Sequence, residues 1–150
     1  HKRASEITEA LKKSKNKKLV DRKDITFKEF VHVLLQKYLE ELKLSNKSLR
    51  FRFMRSKWAS CSSSKNITVN TLLKYLPDDL VSYVVFHEVL HLKEKRHNKR
   101  FWRLISQQFE NYKRKEEELF IYWFLLQDKV RKKEITPQKP KMLYYIFYDN

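Results

Sequence analysis

The segment Val84-Val85-Phe86-His87-Glu88-Val89-Leu90-His91 constrains this chain more than any other. It contains H-E-x-x-H. On a helix His87 and His91, four residues apart, project from the same face about one turn from each other. Two imidazoles so placed can grip one metal ion, and Glu88, one residue on, can reach a water bound to it. The stretch from Pro77 to Glu94 reads as that helix. Pro77 suits its start, Asp78 and Asp79 complement its positive end, and no Gly or further Pro interrupts it. Leu80, Val81, Val84, Val85 and Val89 form an apolar stripe beside the histidines. A structural zinc site normally recruits four protein ligands, often Cys, and has no use for Glu88.

A catalytic site of this kind needs a third ligand. His97 follows six residues after His91, just before Asn98, a fair N-cap for a helix carrying Phe101, Trp102, Leu104, Ile105 and Phe109. A chain turning there can swing His97 back toward the other two. A carboxylate on a later helix can serve equally, with Glu110 and Glu116 to Glu118 as candidates.

The 150 residues suit one domain with a sizeable core. The chain begins with His1 in place of Met, as a fragment or a tagged protein would. With 34 Lys and Arg against 18 Asp and Glu, its charge is +16, which attracts polyanions and makes DNA or RNA a candidate partner. A single cysteine, Cys61, leaves no internal disulfide framework and fits a reducing compartment. No secretory segment is visible, and the longest apolar run, Leu119 to Leu126, is too short to span a bilayer. A soluble, cytoplasmic protein is expected. The complete absence of Gly excludes Gly-rich phosphate loops, which weighs against kinase, NTPase and dinucleotide-enzyme readings.

In chain order, residues 1–23 are basic and weakly patterned, with Ile7, Ala10 and Leu11 fit for one short amphipathic helix. They read as a basic arm or a lightly docked terminus. Thr26-Phe27-Lys28-Glu29 has the form of a capping box, and helical spacing then runs from Phe27 to about Leu44, leaving His32 on the outside. Leu49, Phe51 and Phe53 alternate with Arg50, Arg52 and Met54 as a half-buried strand. Trp58 to Ser62 and Asn66 to Asn70 read as two more, so close in sequence that an antiparallel meander is expected. One of these strands is a candidate edge for pairing an extended peptide. A last long helix runs from about Lys113 to Lys132, its apolar middle fit to pack on the Thr26–Leu44 helix, the tail or another subunit. Thr136-Pro137-Gln138-Lys139-Pro140 ends helical structure. The apolar tail Met142 to Tyr148 is expected to pack as an extended strand or along the cleft.

With these residues in view, the chain resembles the YgjP-like branch of the SprT-like zinc metallopeptidases over about Arg50 to Ile105. Lys57-Trp58-Ala59-Ser60-Cys61-Ser62 looks like the family's K-x-W-G-S-C-S turn, and Asn66 to Leu73 is similar to its N-I-x-L-N-x-x-L segment. Tyr83 to Leu92, then His97 and Phe101-Trp102, is similar to its Y-V-V-x-H-E-L-x-H-L, third His and F-W. The resemblance implies His87, His91 and His97 as ligands of one Zn²⁺ per chain, Glu88 as the catalytic carboxylate, and a polypeptide substrate. Some SprT-like relatives degrade proteins crosslinked to DNA, which would suit the basic charge. Two positions depart from the pattern: Ala59 stands where the family has Gly, and Lys65 sits near another usual Gly. Ala59 implies a turn that does not demand positive φ, or one that tolerates some strain.

The implied fold is α+β and zincin-like: a small antiparallel sheet of about three strands against an N-terminal helix and the H-E-x-x-H helix, then two further helices. Tyr83, Arg100 and Tyr112 are candidate substrate or oxyanion contacts, while Trp58, Ser60, Cys61 and Asn70 read as structural. The alternative is a basic nucleic-acid- or protein-binding module whose metal is only structural.

Overall fold

The computed structural model describes residues 2–137. Its elements run α1 (Lys2–Ser14), α2 (Asp24–Leu42), β1 (Ser48–Arg52), β2 (Ala59–Cys61), β3 (Asn66–Asn70), a 3₁₀ turn (Thr71–Tyr75), α3 (Asp78–Leu90), α4 (Lys99–Gln108) and α5 (Tyr112–Arg131). Among the described residues no helix is long and apolar enough to cross a membrane. The apolar tail lies outside them, and so does its expected packing.

The α+β class and the strand positions agree with the sequence reading, but the sheet is mixed. Its order is β1-β3-β2, with β1 parallel to β3 and β2 antiparallel to it. The antiparallel meander is therefore corrected. Period-two alternation reports which face of a strand is buried, not the direction of its neighbour. The chain runs along β1, crosses over, returns along β2 and turns back into the gap as β3. That central place suits β3, whose Ile67, Val69 and Asn70 are buried, whereas β1 has no fully buried residue. Asn70 fastens the crossover. Its fully buried amide donates to the Met54 and Lys57 carbonyls, both at 2.9 Å, and its oxygen accepts from the Leu72 N–H at 3.0 Å. Asn70→Ala would strand these buried backbone groups. We expect it to lower unfolding stability by about 3 kcal/mol, at roughly 1 kcal/mol or more per lost bond, measured by urea denaturation.

Among the described residues Lys43, Lys65 and Lys133 have positive φ and take turn positions where glycine is usual. Ala59 is not among them and opens β2 as a buried residue, as its lack of a glycine predicts. The capping box at Thr26 does not form. α2 starts earlier, at Asp24, after an extended Lys23 without a side-chain cap, and the Asp24 carboxylate accepts from Lys74 Nζ at 2.8 Å. A long-range ion pair thus replaces the local cap.

α3 lies at the centre. The expected apolar stripe is buried, and so are Tyr83, Phe86, Glu88 and Leu90, because the helix packs on α2, β2 and α5 together. The Tyr38 ring of α2 meets Phe86 edge-on at 5.1 Å, and its hydroxyl bonds that of Ser82. Arg22, nearly buried, donates to the carbonyls of Lys74 and Leu76 and to the Asp78 carboxylate, which ties the approach to α3 to its first turn. α1 is more than a loose arm: it packs on α5, buries Ala10, and pairs Lys13 with Glu117 at 2.8 Å. Among the described residues it is α1 that covers a second face of α5, not the Thr26–Leu44 helix.

Candidate metal centre and substrate cleft

α3 ends at Leu90 with His91 as its C-cap, and the chain reverses before Asn98 caps α4 through a 2.9 Å bond from the Phe101 N–H. This short reversal carries His97 back over the last turn of α3. His97 Nε2 stands 3.0 Å from Nε2 of His87 and 3.0 Å from Nε2 of His91. The three residues form a group able to hold a metal ion.

The donor chemistry fits a cation. An imidazole nitrogen carries one in-plane lone pair or one hydrogen, so it serves a single partner well. His97 Nε2 faces two like nitrogens at once, which hydrogen bonding alone satisfies poorly. Two nitrogens held about 2.0–2.1 Å from a tetrahedral zinc lie roughly 3.3 Å apart, close to the spacing found. His91 Nδ1 donates to the Glu94 carbonyl at 2.9 Å, which leaves Nε2 with its lone pair toward the group. Burial, with the adjoining His91 and His97, pushes the His87 imidazole down to about 3, and burial also lowers His91. Both rings are therefore neutral, as metal ligands must be. Aromatic rings hold them: Phe101 stacks on His91 at 4.7 Å and Trp102 on His97 at 5.7 Å.

Glu88 is buried among apolar neighbours yet lines the same cleft as the histidines. Burial pushes its carboxyl up to about 7, with the Lys57 charge opposing. A carboxyl so placed can exchange protons near neutral pH. The cleft, about 740 Å³, is walled by β2 and the β2–β3 turn on one side and by α3, the His97 loop and α5 on the other.

The remaining candidates separate. Tyr83 lines the cleft one helical turn before His87, whereas Arg100 and Tyr112 do not line it. Arg100 pairs with Glu94 at 3.0 Å, and Tyr112 stacks on Trp102 at 5.6 Å. Of the carboxylates offered as third ligand, Glu117 is paired with Lys13, Glu118 lies near Lys17 and Arg114, and Glu110 is exposed. Glu116 lines the cleft but is outside the histidine group, as is Cys61, whose thiol burial pushes up. Sequence reasoning missed the Glu94 carbonyl and Lys57. Any residue supplies a carbonyl, and Lys57, though it opens the Lys57–Ser62 motif, acts on Glu88 through space, which no spacing reveals.

Comparison with known proteins places these features in context. A family profile described as "YgjP-like, metallopeptidase domain" matches residues 2–121. The fold is similar to the crystal structure of the metallopeptidase zymogen of Pyrococcus abyssi abylysin, with a TM-score of 0.52 and 27% identity, over 61% of this chain and 90% of that one. It is also similar to the metallopeptidase zymogen of Methanocaldococcus jannaschii jannalysin, with a TM-score of 0.54 and 24% identity, over 63% of this chain and 96% of that one. Among curated proteins no match is found.

Proposed function

Because this chain belongs to the YgjP-like metallopeptidase family, we propose that it is a zinc-dependent peptidase in which His87, His91 and His97 hold the metal and Glu88 moves the proton. The convergence of the three imidazoles beside a buried carboxylate, in one open cleft, carries this reading. A zinc ion bound there supplies a water acidified to a pKa of about 7 and a Lewis acid for a carbonyl oxygen.

The chain's own groups do the rest. Glu88 takes the proton of the attacking water and later hands it to the leaving amine, a transfer that its raised proton affinity suits. Phe101 and Trp102 keep the imidazoles from turning away. β2 is an outer strand of the sheet among the described residues and lines the cleft through Ala59, Ser60 and Cys61, so an extended peptide can pair with its outer edge. The +16 charge extends the proposal to substrates associated with nucleic acid.

Metal analysis coupled to a casein digest tests it. The expected result is about one zinc per chain, cleavage lost on chelation and regained with zinc, and a rate raised by single-stranded DNA at low salt only. Undiminished cleavage by metal-free protein would refute the zinc assignment. A rate indifferent to DNA would remove the nucleic-acid extension alone.

A further inference from the structure

The charged residues lining the cleft are not all basic. Lys57, Lys65 and Lys95 occupy it, but the α5 wall contributes Glu116, beside Tyr83 and Leu119. Glu116 is half-buried, and among the described residues it has no cationic partner. Its neighbours on α5 are committed elsewhere. Arg114 lies 3.6 Å from Glu118, and Lys115 turns away into a 2.8 Å bond with Asp79. In a chain of charge +16, where cations outnumber acids, a carboxylate left unneutralised on a cleft wall is out of the ordinary.

A second group points the same way. Tyr83 is 1% exposed, and its hydroxyl closes no hydrogen bond of ordinary geometry within the protein. The hydroxyl and the Glu116 carboxylate nonetheless interact: burial, the larger effect, pushes the Glu116 carboxyl up, and bonding from the Tyr83 hydroxyl pulls it back down. The two polar groups on the cleft wall have only each other, and no cation neutralises the carboxylate among the described residues. A primary ammonium or a guanidinium satisfies the half-buried carboxylate, since each supplies several N–H donors and a positive charge. Leu119 and Val84 offer apolar surface for the methylene stem of such a side chain.

We propose that Glu116, with Tyr83, forms a specificity subsite that selects a Lys or Arg side chain of the substrate peptide. This rests on the peptidase reading above. It places the cation one helical turn of α3 away from His87, the distance from Tyr83 to that ligand. Lys57, Lys65 and Lys95 stand elsewhere along the cleft, so the acidic preference they would give on their own is the rival outcome.

The test uses the zinc-loaded full chain and matched peptides that carry Lys, norleucine or Glu at each position in turn. At one position the wild-type protein should cleave the Lys peptide about tenfold or more faster than the norleucine peptide, the scale of one partly desolvated charge pair. Glu116→Gln should bring that ratio close to one, and Glu116→Lys should shift preference to the Glu peptide. A wild-type protein without a Lys or Arg preference at any position overturns the proposal. So does a preference that survives Glu116→Gln. If no peptide is cleaved at all, the peptidase reading fails by itself. The subsite is then judged by fluorescence anisotropy of the same peptides on zinc-loaded Glu88→Gln protein. Equal affinity for the Lys and norleucine peptides overturns it there too.

Discussion

Glu88→Gln is expected to leave zinc binding intact and to lower peptidase activity by about 10²–10⁴-fold, the range that a positioned general base contributes. The amide is nearly the same size as the carboxylate, so the apolar packing around this buried position is preserved. It also leaves His87, His91 and His97 untouched, so metal stoichiometry should match the parent protein. What is lost is the capacity to accept a proton. Burial already holds the Glu88 carboxyl near 7, where it can both take and return one. Purified Glu88→Gln protein that digests casein at the parent rate would exclude Glu88 as the base. Loss of activity together with loss of zinc would instead assign the residue to metal retention.

Removing one imidazole should have the other large effect. His97→Ala and His91→Ala each take away a nitrogen that the other two cannot replace, because no other His, Cys or acidic side chain among the described residues joins the group. Zinc affinity should fall by more than the roughly 10–100-fold that loss of a merely supporting partner costs. Competition with a chromophoric chelator measures it. His32→Ala is the internal control: His32 is exposed on α2, with its ring 6.0 Å from that of Phe51, and its loss should leave the affinity unchanged. Unaltered zinc affinity in His97→Ala would return the third position to a carboxylate. Glu116, already on the cleft wall, would then be the first to examine.

The outcome at His97 also shows where sequence reasoning reaches its limit. Its spacing from His91 leaves both an imidazole and a carboxylate open as third ligand, and the family resemblance, not the spacing, favours the imidazole. The fold brings His97 over the helix end because α3 stops at its C-cap and Asn98 starts α4 at once. Glu116 was legible only as one acid in the run Glu116 to Glu118. Its neighbours turn outward to Lys13, Lys17 and Arg114 while it turns to the cleft, a difference set by the docking of α5 on α1 and α3.

Local order was open to direct reading. The 3.6-residue period, the Pro77 start and the Asn98 cap locate α3 and α4 to within a few residues, since each depends on groups adjacent in sequence. Strand is found where expected over 66–70, and the alternating stretch Leu49–Met54 is strand as far as Arg52. Pairing was not open in this way. The parallel partnership of β1 with β3, the Asp24–Lys74 bond in place of a capping box, and the seating of α1 on α5 each join residues far apart in the chain. Such contacts form when burial and charge pairing across the whole molecule outweigh weak local preferences. Helices, strands, the His-Glu spacing and the short reversal that carries His97 thus belong to neighbouring residues, whereas strand direction and the acidic wall of the cleft arise only once distant segments pack together.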